Sequence, residues 1–152
     1  MKFLADKTVG RLGRRLRMMG IDCAWTGMAD LSETVKICVV QDRILLTRDS
    51  RIRELGTLIA WLLLKHEKAD ELVEDFLAVF PIDPFLSAFT RCIECNAVLE
   101  PICPEDLPPD VPLYVRLTQK SFSRCPGCKR VYWDATHTGR MKNRLLRMRH
   151  HV

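Results

Sequence analysis

With 152 residues, 47% of them apolar, and a net charge of +5, the chain has the length of one ordinary domain or of a domain plus a small module, and too much apolar content to be disordered. Met1–Ala5 is followed at once by Asp6, which leaves no secretory h-region, and the longest apolar run, Leu58–Leu64, is far too short to span a bilayer. Seven cysteines, an odd number with no signal peptide, fit a reducing compartment, so the expected location is cytoplasmic with no membrane partner.

Lys2–Ala5 reads as a first strand with Asp6 at its carboxyl end. Leu12, Leu16 and Met19 then recur at helical spacing, surrounded by Arg11, Arg14, Arg15 and Arg17, and Gly20 closes that helix. Cys23-Ala24-Trp25 is the predicted second strand. Asp30 or Ser32 caps the next helix, whose apolar stripe is Leu31, Val35, Cys38 and Val39, with Glu33 in its first turn beside the positive end of the helix dipole. Arg43–Thr47 is a third strand, followed by Asp49 and a short helix to Leu55. Thr57–Leu64 does not alternate, so a fourth strand buried on both faces is expected. Leu72, Phe76, Leu77 and Val79 mark a helix ending before Pro81. Strand and helix in alternation predict an α/β fold, a parallel sheet flanked by helices, over residues 1–85.

Beyond residue 86 the pattern changes to short β-like pieces and turns. Cys92-Ile93-Glu94-Cys95 is matched, after 29 intervening residues, by Cys125-Pro126-Gly127-Cys128. Two such pairs present Cys92, Cys95, Cys125 and Cys128 on two tight turns, the arrangement of a closed, structural Zn²⁺ site. The alternatives are two disulfides or four unrelated thiols. Cys23 and Cys38 read as small core residues. Pro101, Pro104, Pro108, Pro109 and Pro112 predict an irregular loop between the pairs, and Val131-Tyr132-Trp133 the returning strand of a small zinc ribbon. Residues 86–152 thus form a second module, ending in a helical segment, Met141–His150. The charge is uneven: residues 1–85 balance 13 basic against 13 acidic side chains, and no acid follows Asp134. Arg140, Lys142 and Arg144 in that tail point to a polyanion, most simply nucleic acid, or else to a solvated helix end.

Ligands of an open parallel sheet gather at the carboxyl ends of its strands. Asp6 and Asp49 belong there, with Glu33 at a helix start facing the same edge. Carboxylates without His or Cys favour a hard ion, Mg²⁺ or Mn²⁺, which activates water and stabilises a leaving oxygen in phosphodiester hydrolysis. Each acid also has a structural reading, Asp6 and Asp49 as helix caps. Arg14, Arg17 and Arg48 near that edge either bind phosphate or balance the acids. Tyr132 and Trp133 fit the ribbon core better than base stacking.

Phe3-Leu4-Ala5-Asp6, Leu16-Arg17-Met18-Met19-Gly20 and Leu45-Leu46-Thr47-Arg48-Asp49 resemble the PIN-like ribonuclease domains. Arg91-Cys92-Ile93-Glu94-Cys95-Asn96, Cys125-Pro126-Gly127-Cys128, Val131-Tyr132-Trp133, His137 and Met141 narrow the resemblance to the C-terminal RNase domain family named after the Mut-seven exonuclease, a PIN-like domain fused to a zinc ribbon. The resemblance covers nearly the whole chain. It implies a metal-dependent RNase, with Asp6, Glu33 and Asp49 on the family's acidic positions. For a further acid of the PIN pattern the sequence offers Glu67, Asp70 or, from the second helix, Asp30. The expectation is therefore a ribonuclease with one structural Zn²⁺ and a catalytic Mg²⁺ or Mn²⁺, taking single-stranded RNA held by the ribbon and tail. The rival expectations are a non-catalytic RNA-binding or ribosome-associated protein, and an adaptor whose ribbon docks a protein partner.

Overall fold

A computed structural model describes residues 1–133. The first half alternates strand and helix: β1 (Phe3–Ala5), α1 (Gly10–Met18), β2 (Cys23–Trp25), α2 (Leu31–Gln41), β3 (Ile44–Thr47), a 3₁₀ turn (Ser50–Leu55), β4 (Trp61–Leu63) and α3 (Ala69–Val79). The four strands are parallel in the order β2-β1-β3-β4. Alternation along the central strands sorts the core onto two faces. Phe3, Ala5 and Leu46 meet Leu12, Leu16, Val73 and Phe76 of α1 and α3, while Leu4 and Leu45 meet Val35 and Cys38 of α2. Phe3 stacks edge-on against Phe76 and Phe80, at 4.9 and 5.0 Å.

The chain leaves β1 toward β2 on one side and returns to β3 on the other. The order therefore reverses between β1 and β3, the switch point where sheets of this kind carry their ligand crevice at the strands' carboxyl ends. The fourth strand is shorter than expected and only half-buried, because it lies at the edge of the sheet with one neighbour, β3.

The second half carries a three-stranded antiparallel sheet, β5 (Glu100–Pro101), β6 (Phe122–Arg124) and β7 (Val131–Trp133), in that order. The proline-rich excursion is more regular than a loop. It holds a 3₁₀ turn at Pro104–Asp106 and a short helix, α4 (Leu113–Thr118). Leu107, Val111 and Phe122 are buried under it with Val115 and Trp133 alongside, and Arg116 donates to the carbonyls of Val111, Leu107 and Pro108. The predicted tail helix, His137 and the cations Arg140, Lys142 and Arg144 lie outside the described residues. No helix among the described residues is long and apolar enough to cross a membrane.

The two sheets are joined by a polar seam. Arg17 is buried, and its guanidinium donates to Cys23 O at 2.7 Å and to Ile93 O and Glu94 O at 2.9 and 2.6 Å. Asn96, at φ 71°, accepts from the Cys23 amide and donates to Asp22, which also pairs with Arg43 and Arg91. The loop between Cys92 and Cys95 is thus docked on the α1–β2 corner. Arg17, expected at the acidic edge to bind phosphate or balance the acids, is enclosed, and its Nε and Nη1 donate to these carbonyls, so it holds the seam.

Candidate active site and metal centre

Asp6 follows β1 at the crevice and is buried. Its Oδ1 accepts from the Thr8 amide and hydroxyl at 2.8 and 2.5 Å, and its Oδ2 from the Thr47 hydroxyl at 2.5 Å. The same hydroxyls work in the other direction. Thr8 Oγ1 accepts from the Arg48 amide and Thr47 Oγ1 from the Asp49 amide, both at 2.9 Å. One carboxylate therefore organises both turns that leave the central strands. Neither threonine stood out in the sequence, because threonine is common in strands and turns and only the register of β1 against β3 sets Thr47 beside Asp6. Asp6 makes no ion pair within the described residues, and Thr26 Oγ1, just past the end of β2, is enclosed with no hydrogen-bond partner among them.

The other acids are engaged differently. Asp49 caps the 3₁₀ turn by accepting from the Arg51 amide, and pairs with the Arg51 side chain at 2.5 Å, which holds its carboxyl below the usual range. Asp30 caps α2 through the Glu33 amide, so the capping reading holds for both. Glu33 is exposed in the first turn of α2. Glu67 pairs with Arg48 at 2.7 Å, and Asp70 lies 3.6 Å from Arg15. His66, in the loop after β4, meets Asp75 at 2.9 Å, which raises its pKa. Among the described residues, Asp6, Asp30, Glu33 and Asp49 do not draw together into a metal-holding group; the group that does is the four cysteines.

The ligand atoms of Cys92, Cys95, Cys125 and Cys128 all lie within 4.8 Å of one another. Cys92 and Cys128 approach to 3.5 Å and Cys95 and Cys125 to 3.2 Å, distances far above a disulfide bond and close to those between sulfurs sharing a tetrahedral ion. Within each pair the later amide donates to the earlier sulfur, Cys95 N to Cys92 at 3.5 Å and Cys128 N to Cys125 at 3.3 Å. The tight turns place these amides, with Gly127 packed against Cys95 Sγ. Burial pushes the Cys92 thiol up, but the Tyr132 hydroxyl at 3.1 Å and the Cys95 and Glu94 amides outweigh it and bring it down to about 6. A thiol inclined to ionise is the form a metal takes. Four such sulfurs could hold a metal ion such as zinc. Tyr132 thereby serves the metal centre, a role for which its sequence context gave no signal.

The RNase domain model of the Mut7-C family matches residues 1–145, the sheet, the crevice and the cysteine centre together. The chain belongs to the Mut7-C RNAse domain family. No curated protein and no solved structure matches it. Membership in Mut7-C places the chain in a ribonuclease-type family, which suggests RNA as a substrate.

Proposed function

We propose that this Mut7-C chain is a metal-dependent ribonuclease whose reaction centre is the crevice at Asp6, with a structural zinc in the ribbon. The observation that carries the reading is the Asp6 carboxylate itself. It is buried at the switch point of a parallel sheet and held by two hydroxyls and an amide without an ion pair among the described residues. Burying a charge without an opposite one is costly, so this site favours a cation. Its all-oxygen surroundings suit a hard ion, Mg²⁺ or Mn²⁺. When bound, such an ion supplies an activated water and stabilises charge on phosphodiester oxygens.

The chain's own residues supply the rest. Thr8 and Thr47 fix the plane and direction of the Asp6 carboxylate. Asp49, Glu33 and Asp30, on the loops and helix start around the same edge, add negative potential, and Arg51 restrains Asp49 until a cation competes for it. Arg48 and Arg14 bind phosphate, Arg48 after exchanging Glu67 for the substrate. Arg140, Lys142 and Arg144 contribute further phosphate contacts without sequence preference. A cytoplasmic location accords with the free thiols of the metal centre.

The test is cleavage of single-stranded RNA by zinc-loaded protein with and without added Mn²⁺. Withholding Mn²⁺ is preferable to EDTA, which would also strip the ribbon. Cleavage should require Mn²⁺ and fall by orders of magnitude in Asp6→Asn. Equal cutting by both proteins would return Asp6 to a structural role and leave an RNA-binding protein without catalysis.

A further inference from the structure

Four exposed cations stand on the elements that lead from the reaction centre to the metal centre. Lys7 is exposed directly after Asp6, and its charge reaches Asp49. Arg11 and Arg14 follow on the outer face of α1, one turn apart, while Leu12, Leu16 and Arg17 turn inward. Arg14 pairs with Glu94 in the loop between Cys92 and Cys95, and Arg130, on the turn just after Cys128, stands 3.8 Å from the same carboxylate. Arg14 and Arg130 remain 57% and 62% exposed. Among the described residues Glu94 is the acid that pairs with this row, and it is shared between two guanidinium groups, so the Arg11, Arg14 and Arg130 stretch keeps a net positive charge.

We infer that Lys7, Arg11, Arg14 and Arg130 form a continuous track for the phosphate backbone of an RNA strand, running from the crevice along α1 to the cysteine turns. The inference rests on the ribonuclease reading for its ligand and extends it by stating the strand's path. The seam gives the track a fixed shape, because Arg17, on the inner side of the same helix, ties α1 to the loop that carries Glu94. Guanidinium groups spaced along a helix match phosphates as bidentate partners, and exposed pairs such as Arg14 with Glu94 are cheap to exchange. Glu94 acts as a local counter-ion that RNA must displace.

The experiment measures affinity for a labelled single-stranded oligouridylate against salt concentration, using the full zinc-loaded chain without added Mg²⁺ or Mn²⁺. Wild type is compared with the triple substitution Lys7→Gln, Arg11→Gln, Arg130→Gln, all at exposed positions. The control is Lys36→Gln, exposed on α2 across the sheet. The triple variant should bind more weakly, with its log–log salt slope flattened by roughly 2, about 0.7 for each lost phosphate contact. Lys36→Gln should leave slope and affinity unchanged. Glu94→Gln should bind more tightly than wild type, a gain that damage to the fold would not produce. Equal slopes for the triple variant and wild type, or the same loss per charge in Lys36→Gln, would overturn the track. The cleavage comparison with Asp6→Asn reports on the ribonuclease reading separately, since cutting at the crevice does not depend on the path by which the strand arrives.

Discussion

The buried guanidinium of Arg17 donates to the carbonyl of Glu94 at 2.6 Å, across 77 residues of sequence and from the α/β half into the metal-binding loop. Replacing Arg17 by Ala takes its donor from three carbonyls at the seam, Cys23 O, Ile93 O and Glu94 O. Stability should fall on the order of 3 kcal/mol, read as a shift in denaturant midpoint. Arg17→Lys keeps the charge but not the fork and should recover only a minority of the loss. A midpoint unchanged in both variants would mean that the seam adds nothing to stability.

Asp22 sits at the centre of the same seam and gives it a pH limit. Burial raises its pKa, but hydrogen bonds from Arg43 and Asn96 and the charges of Arg43 and Arg91 prevail and lower it. A lowered folded-state value means the contribution is whole above the ordinary carboxylate range near 3.9 and is lost as pH falls through the depressed value. Unfolding followed by tryptophan fluorescence should therefore show a steep acid loss below about pH 4 that is shallower in Asp22→Asn. Identical acid limbs would remove Asp22 from the account.

At the metal centre, elemental analysis should find one zinc per chain, and any of the four cysteines changed to Ser should abolish it. Structural zinc contributes about 10–16 kcal/mol of apparent binding free energy to small sites, so chelation should unfold the ribbon. Tyr132→Phe removes the hydroxyl that meets Cys92 and should weaken zinc affinity by roughly 10–100-fold while leaving the stoichiometry intact. Protein purified without chelator but lacking zinc would contradict the assignment.

Thr47 tests the crevice without touching an acid. Thr47→Val preserves shape but leaves Asp6 Oδ2 and the Asp49 amide without their shared hydroxyl, at a cost of about 1–3 kcal/mol. Thr47→Ser restores the hydroxyl. Under the ribonuclease proposal the Val variant should need more Mn²⁺ for half-maximal cleavage and the Ser variant should return toward wild type. A requirement for Mn²⁺ that is the same in all three would show that Thr47 serves folding alone.

Much of this architecture is legible in the sequence because it depends on local patterns. The short apolar runs Phe3–Ala5 and Ile44–Thr47, each closed by an aspartate, the helical spacing of Leu12 and Leu16, the caps Asp30 and Asp49, and the doubled cysteine spacing are each written within a few residues. The extent of β4 was not, since Trp61–Leu63 looks like any apolar run until its place at the sheet edge is known. The place of Arg17 in the seam was hidden for a related reason. On a helix with four arginines, nothing local distinguishes the one turned inward, and its partners at Ile93 and Glu94 are contributed by another module. Thr8, Thr47 and Tyr132 were invisible because their partners depend on strand register and on the fold of the cysteine turns.

Gly20, at φ 77°, leaves no room for a side chain: a Cβ there would lie 1.8 Å from the carbonyl oxygen of Ser87. The chain from Pro81 to Ser87 is consequently masonry rather than a hinge, wedged against the corner it crosses. Most two-module proteins accept a spacer between their parts, since lengthening a loop costs little entropy. Here two inserted glycines before Ser87 would lift that wedge and pull Phe89 from the Met18 carbonyl it donates to. The ribbon is thus not a portable attachment. Grafted onto another helix–strand corner, it would lack the notch that fixes its angle.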